Sequence, residues 1–336
     1  MKQVANYQQQ PVYEYTIENK VLKINVLTYG GTISGIYYKE DNKQTNMVAS
    51  YLDPQDYINQ TGPYLNALVG PVAGRIAYGQ YEDHGSHQLS INSGVHHLHG
   101  GNSGISKKLF TITQTSDTSL HLHLETSHEE DGYPKGIYLY DIIYALDHNT
   151  FTISYHATPP ASSLLNMTSH LYFNLNGMNE DITHHQLYLP STKKCKIEQQ
   201  SHPSRIQTIK KGSAFDFSSL CDIQTNLDKG DPEFLHTIYY DTPFLLDQGH
   251  LTLYDPKSHH QLDITTQERC VVVYTANWFD EALTFENGTK GHPLSCIALE
   301  LQDVPNGINI KDYQHHQLHD PEHPYTQVTH YRFSTN

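Results

Sequence analysis

Hydrophobic residues recur at every second position through much of this chain, and that spacing excludes more folds than any other feature of it. Leu22, Ile24 and Val26 alternate with Lys23 and Asn25; Leu120, Leu122 and Leu124 alternate with His121 and His123; Phe151, Ile153 and Tyr155 alternate with Thr152, Ser154 and His156. A two-residue period puts every apolar side chain of a run on one face, so these are strands with one buried side. Between the runs lie turn-forming clusters such as Gly30-Gly31, Asn92-Ser93-Gly94, Asp131-Gly132-Tyr133-Pro134 and Pro305-Asn306-Gly307. Short strands punctuated this often predict an all-β chain, a large antiparallel sandwich or barrel with very little helix. The best helix signal is Asp53-Pro54-Gln55-Asp56-Tyr57, with Asp53 as cap and Pro54 in the first helical position, enough for one or two turns. No segment sustains a helical period, which disfavours bundles and Rossmann layers.

A length of 336 residues suggests about two domains. The groups able to carry chemistry, however, spread from residue 75 to residue 300 without a linker or repeat, so we expect one domain over 1–336. The net charge is −15 and there are only four arginines, Arg75, Arg205, Arg269 and Arg332. Phosphate backbones need clustered cations, so no nucleic-acid partner is expected. No apolar run approaches the roughly 18 residues of a membrane span, and the first residues lack a signal-type apolar core. A cytoplasmic protein with no membrane association is the expectation. Cys195, Cys221, Cys270 and Cys296 form no C-x-x-C pair and read as reduced, structural thiols.

Several stretches carry reactive side chains in informative settings. In Asn166-Met-Thr-Ser-His-Leu-Tyr-Phe-Asn-Leu-Asn-Gly177, His170 interrupts a strand-like aromatic run, and alternation would put His170, Tyr172 and Asn174 on one wall. A buried imidazole in such a run is more often a hydrogen-bonded core residue than a proton carrier. Glu300 sits in the apolar stretch Cys296-Ile-Ala-Leu-Glu-Leu-Gln302, where an unpaired carboxylate is costly to bury and partial desolvation would raise its pKa into the range of a neutral-pH base. Around Gly70, Gly74 and Gly79 the glycines lack a dinucleotide-binding order, so Arg75 is read as a donor fork for hydroxyls or a carboxylate. His96, His97 and His99 invite a metal reading, since His97 and His99 have strand spacing and would share a face. No carboxylate or cysteine stands beside them in the sequence, and no metal is expected. Asp241, before Thr242-Pro243, is either a turn residue or an acceptor for two vicinal hydroxyls.

Taken in order and at these separations, Gly74-Arg75-Ile76, Leu98-His99-Gly100-Gly101, Thr168-Ser169-His170-Leu171-Tyr172-Phe173-Asn174, Asp241 and Glu300-Leu301-Gln302 resemble the aldose 1-epimerase (galactose mutarotase) family, from about residue 10 to residue 330. The resemblance implies a galactose mutarotase-like supersandwich with its site in a cleft on one curved sheet. It implies interconversion of the α and β anomers of a hexose such as galactose or glucose, with Glu300 as general base and His170, as imidazolium, as general acid. His99 would hydrogen-bond near the ring oxygen, and Arg75 and Asp241 would orient the sugar. No cofactor is implied, the ligand is a monosaccharide, and the chain is expected as a monomer or homodimer. Asp131-Gly-Tyr-Pro-Lys-Gly136 resembles a family turn and is read as structural. The chain departs from the pattern at Gly74, where the family often has asparagine, at Val272, often glutamine, and at Thr242, commonly histidine. Three alternatives stay open: a hexose 6-phosphate epimerase, a carbohydrate-binding protein without turnover, and a glycoside hydrolase or lyase on a related sandwich.

Overall fold

The alternating runs become strands whose apolar residues all point one way. In the computed structural model, which describes residues 1–40, 43–199, 201–314 and 316–335, Leu120, Leu122, Phe151 and Ile153 are fully buried. They belong to the strands Ser119–Thr126 and Thr150–Thr158, whose intervening His121 and His123 stay half-exposed. These strands form part of a nine-stranded sheet that runs, in spatial order, Thr111–Ser116, Ser119–Thr126, Tyr138–Asp147, Thr150–Thr158, Tyr325–Thr335, His260–Thr266, His250–Tyr254, Gln186–Tyr188 and Cys221–Asp222. A six-stranded sheet follows the order Tyr172–Phe173, Ile297–Gln302, Cys270–Tyr274, Asp241–Leu245, Lys193–Ile197 and Pro203–Thr208. A five-stranded meander from Lys2–Tyr7 to Lys43–Asn46 completes the large sheets. Neighbouring strands in all three pair antiparallel.

The sheets share one interior. Tyr140, Tyr144, Ile264 and Tyr331 from the nine-stranded sheet, Val271, Val273, Leu299 and Leu301 from the six-stranded sheet, and Ile24 and Ile36 from the meander belong to a single buried cluster. The rings of Phe173 and Tyr331 meet across it at 6.0 Å between centroids. This is sandwich packing, and each buried Val, Leu or Ile side chain contributes about 1.5–3 kcal/mol. The consequence for function follows from the pleat. With Val271, Val273, Leu299 and Leu301 committed to the core, their neighbours Val272, Tyr274 and Glu300 must face the other way.

Helix is scarce, as the sequence predicts: three helices of four or five residues among the described residues, Asp56–Asn59, Ile223–Leu227 and Phe234–Thr237. The first of them corrects the sequence reading. Asp53 accepts the Gln55 N–H through Oδ1 at 2.9 Å and the Asp56 N–H through its carbonyl, also at 2.9 Å. Both acceptors thus close a turn ahead of the helix, and Pro54 lies in that turn. Among the described residues no helix is long and apolar enough to cross a membrane.

Candidate active site

The outward face of the six-stranded sheet is the floor of a cavity of about 490 Å³. Cross-strand register sets its pattern: Pro243, Val272 and Glu300 stand side by side in one row, and Asp241, Tyr274, Ala298 and Tyr172 in the next. Loops supply the walls. The short strand Arg75–Ile76 pairs with His97–Leu98, placing Arg75 opposite Leu98 and next to His99. Gly74 then locks His99 in place: its N–H donates to His99 Nδ1 at 3.2 Å, and its carbonyl accepts the His99 N–H at 3.1 Å. With Nδ1 serving as acceptor, the ring's proton is on Nε2, and His99 presents an N–H donor to the cavity.

His170 lies between the strands Thr168–Ser169 and Tyr172–Phe173, and its backbone N–H is fixed to the carbonyl of Ala67 at 2.9 Å. Its ring runs parallel to Tyr172 at 4.8 Å and to Tyr64 at 6.4 Å, and meets His99 edge-on at 5.4 Å. His170 Nε2 comes to 3.5 Å from Glu300 Oε1. Each of the two residues is only 4% exposed, yet both line the cavity, so the little surface they keep faces it. Across the floor Arg75 and Asp241 face each other, with Nη1 to Oδ2 at 3.9 Å, a looser pairing than a direct hydrogen bond.

Burial governs the charges. Desolvation pushes the Glu300 carboxyl up to about 8, the Asp241 charge adds to this, and Arg75 opposes it. Desolvation also pushes the His170 imidazole down to about 3. His170 Nδ1 is buried and meets no hydrogen-bond partner among the described residues, so a second ring N–H would go unmet. Burial likewise holds His99 well below the ordinary histidine range, with His170 and Arg75 lowering it further. Asp241 is raised by burial against the pull of Arg75. Around neutral pH, then, His170 and Glu300 share one proton, and burial of both groups puts it on the carboxyl.

All five site residues read from the sequence, Arg75, His99, His170, Asp241 and Glu300, line this one cavity. Two details differ from the sequence reading. His97 and His99 do not share a face: His99 adopts a positive φ of 50°, which breaks the alternation, and His97 turns into the interior, bonded to Ser90 O at 2.9 Å and to the Tyr133 hydroxyl at 2.8 Å. Asn174 does not join His170 and Tyr172, because the strand ends at Phe173 and the carboxamide is buried, donating to Glu180 O and Ser295 O at 2.8 Å each. The ligand atoms of His99, His170 and Glu300 lie within 4.8 Å of one another, the closest approach to a metal-binding set among the described residues. All three also line the cavity beside Arg75.

A model of the aldose 1-epimerase family matches residues 13–332. The chain belongs to the aldose 1-epimerase family. It is accordingly an isomerase. Galactose mutarotase of Mus musculus is 26% identical over 96% of this chain and 94% of its own length. Maltose epimerase of Levilactobacillus brevis is 28% identical over 91% of this chain and 90% of its own length. In fold, the galactose 1-epimerase of Lactobacillus acidophilus superposes with a TM-score of 0.88 over 100% of this chain and 98% of that one, at 24% identity. An aldose epimerase homologue of C. elegans gives 0.87 at 23% identity, over 96% of this chain and 99% of that one. Against that family background the departures gain a physical reason. Gly74 has a φ of +73°, and a Cβ there would stand 2.7 Å from Pro305 Cβ, so asparagine does not fit without a shift. Val272 stands directly beside Glu300 and makes that part of the floor apolar.

Sequence reasoning missed Tyr64, whose ring lies 4.6 Å from His99, because the residue sits at a positive φ of 52° in a loop with no periodic signal. It also read Asp131 as part of a structural turn only. The Asp131 carboxylate accepts the N–H groups of Asn102 and Ser103 at 2.8 Å each and the hydroxyls of Ser90 and Ser103 at 2.5 Å each. It thereby stitches down the turn immediately after His99, where a Cβ on Gly101 would strike that same carboxylate.

Proposed function

We propose that this chain catalyses the interconversion of the α and β anomers of an aldose such as galactose or glucose, with Glu300 as general base and His170 as general acid. The observation that carries the reading is the 3.5 Å approach of His170 Nε2 to Glu300 Oε1 at the inner end of a cavity that admits a sugar. Ring opening removes a proton from the C1 hydroxyl and delivers one to the ring oxygen. Both oxygens are bonded to the same carbon, so acid and base must stand close together. With the proton on His170, Glu300 takes the hydroxyl proton while His170 protonates the ring oxygen, the C1–O bond to the ring breaks, and the open-chain aldehyde results. The pair is then a neutral imidazole and a protonated carboxyl. That is the protonation state burial favours, so the protein electrostatics are matched to the open-chain intermediate. Rotation about C1–C2 presents the other aldehyde face, and the same two groups exchange roles for closure.

His99, as an Nε2–H donor, steadies the charge growing on the ring oxygen. Arg75 and Asp241 hold the hydroxyls. Only protons move, so the reading needs no cofactor, and it takes 1–336 as a single domain because the five residues drawn from positions 75 to 300 converge on one sheet face. A phosphosugar is not supported, since Arg75 is the sole lysine or arginine lining the cavity among the described residues and it faces Asp241.

Polarimetry of freshly dissolved α-glucose and α-galactose, in a buffer that transfers protons poorly, tests the proposal. Rotation should relax faster with the protein, and Glu300→Gln and His170→Asn should each slow the catalysed rate by about 10² to 10⁴-fold. Sugar binding without any acceleration would instead mark a carbohydrate-binding protein.

A further inference from the structure

Two tyrosine rings run parallel to His170, and they differ in where they stand. Tyr172 is buried in the floor, whereas Tyr64 belongs to a loop and keeps part of its surface open. The Tyr64 ring lies 4.6 Å from His99 and 6.4 Å from His170, within 14° of parallel to the latter, so one side chain leans on both imidazoles. Lys107 Nζ stands 5.9 Å from the centre of the same ring and donates to Gly101 O at 3.4 Å and Asn102 O at 3.3 Å. One ring therefore bridges the turn that follows His99 and the stretch that carries His170.

The loop is fastened on either side of that ring. The Pro63 carbonyl accepts the Tyr172 hydroxyl at 2.9 Å, and the Asn66 carboxamide oxygen accepts the Tyr172 N–H at 2.9 Å. The Asn66 N–H donates to the His170 carbonyl at 3.1 Å. Between these ties Tyr64 holds a φ of 52°, a left-handed conformation that glycine and asparagine take with less strain than tyrosine. A bulky aromatic kept in such a conformation points to a task for the side chain. Its contacts are made by the ring, since the hydroxyl meets no hydrogen-bond partner among the described residues.

The groups around His170 define that task. Glu300 faces it from the strand Ile297–Gln302, Tyr274 from Cys270–Tyr274, Tyr172 from its own stretch and His99 from the turn, while Arg75 and Asp241 stand in the same cavity. Glu300 is the only acid paired with it among the described residues. Resting on the acid–base reading above, we propose that Tyr64 is a positioning residue: its ring holds His99 and His170 in place and keeps water off them, so that His170 passes its proton to the sugar or to Glu300 and not to solvent. Without the ring the imidazole is hydrated, and hydration favours its charged form. In mild acid His170 and Glu300 are then both protonated, no base is left, and turnover stops.

The pH dependence separates this role from mere support of the fold. Burial holds the wild-type imidazole down at about 3, so kcat/KM should stay level from about pH 7 to about pH 5. In Tyr64→Ala an acidic limb with a midpoint near about pH 6 should appear, a loss of about tenfold over that interval. Tyr64→Phe, which keeps the ring, should keep the wild-type pH dependence. Should the alanine variant not fold, Tyr64→Gly takes its place, because glycine adopts that φ freely. Imidazole NMR of the intact protein, with the His170 signal identified by its loss in His170→Asn, reads the same midpoint without turnover. A His170 midpoint that does not rise in Tyr64→Ala, or rises as far in Tyr64→Phe, overturns the proposal, as does an active Tyr64→Ala enzyme with no acidic limb. Should the midpoint rise in Tyr64→Ala alone while even the wild type accelerates no mutarotation, the cover stands and the proposed reaction is what fails.

Discussion

Replacing Glu300 by glutamine should slow turnover by about 10² to 10⁴-fold and at the same time make the protein more stable than the wild type by a margin that grows as pH rises from about 5 to about 8. The folded carboxyl titrates at about 8 against 4.5 for an unperturbed one. Between those values the folded state holds a proton that the unfolded chain has released, so stability falls as pH rises, by about 1.4 kcal/mol per pH unit. The loss is complete above about 8 and is capped at roughly 5 kcal/mol; water reaching the carboxyl through the open cavity brings it below that bound. Glutamine keeps the shape and cannot ionise. For 336 residues the unfolding entropy is roughly 0.7 kcal/mol per degree, so the cap corresponds to about 7 °C in Tm. Thermal unfolding of wild type and Glu300→Gln across about pH 5 to about pH 9 should give nearly equal Tm values at the acid end and a variant more stable by several degrees at the alkaline end. A difference that does not grow with pH, or a variant less stable throughout, would show that Glu300 is not a desolvated carboxyl and would remove the electrostatic basis for its role.

The rate itself should carry the same signature: kcat/KM for mutarotation stays level through neutral pH and declines above about 8, as the one proton shared by His170 and Glu300 is lost; an acidic limb with an ordinary histidine midpoint would mean that His170 is not desolvated. Asp131 should prove to be a positioning residue. Burial works to raise its pKa, but hydrogen bonds from Ser103, Ser90 and the backbone N–H groups of Asn102 and Ser103 outweigh it and hold the carboxyl low, so it contributes stability above the usual aspartate pKa that is lost as pH falls through the lower folded value. Asp131→Asn should cost about 1–3 kcal/mol at neutral pH and lower kcat through His99, with the Tm difference shrinking in acid; unchanged kcat would sink the positioning argument. Gly74→Asn, which restores a common family residue, should destabilise by about 1–3 kcal/mol because its Cβ meets Pro305 Cβ, and in a double-mutant cycle Pro305→Gly, which removes that atom, should make the Gly74→Asn loss smaller; a neutral Gly74→Asn, judged by denaturant unfolding, would refute the steric account.

What could be read in advance follows the reach of each signal. Strand alternation at Leu120 to Leu124 and Phe151 to Tyr155 is local and survived folding unchanged, because each run has one face in the shared core. Glu300 was legible for the same reason: a carboxylate at an alternating position of a buried strand must face whatever lies on the far side. Alternation failed at His99 and Asn174, where the backbone leaves the extended region or the strand stops, and neither event is marked by residue type. Tyr64 was illegible because its position depends on a loop held by distant partners, through the bonds of Pro63 and Asn66 to Tyr172.

The protonation states show the same limit in electrostatic form. Desolvation of Glu300 was foreseeable from its apolar neighbours in the sequence. The closeness of His170 was not, and it changes the meaning of that desolvation. A low-polarity setting disfavours any charge, so it lifts the carboxyl and depresses the imidazole together, and moves a proton from nitrogen to oxygen without changing the total. A site built only to bind an intact pyranose would have no need for two such groups at 3.5 Å, whereas one that passes through an open-chain aldehyde uses the neutral pair as its midpoint. The cost of burying Glu300 is therefore tied to the step proposed for it, and a variant that relieves the cost should not keep the step.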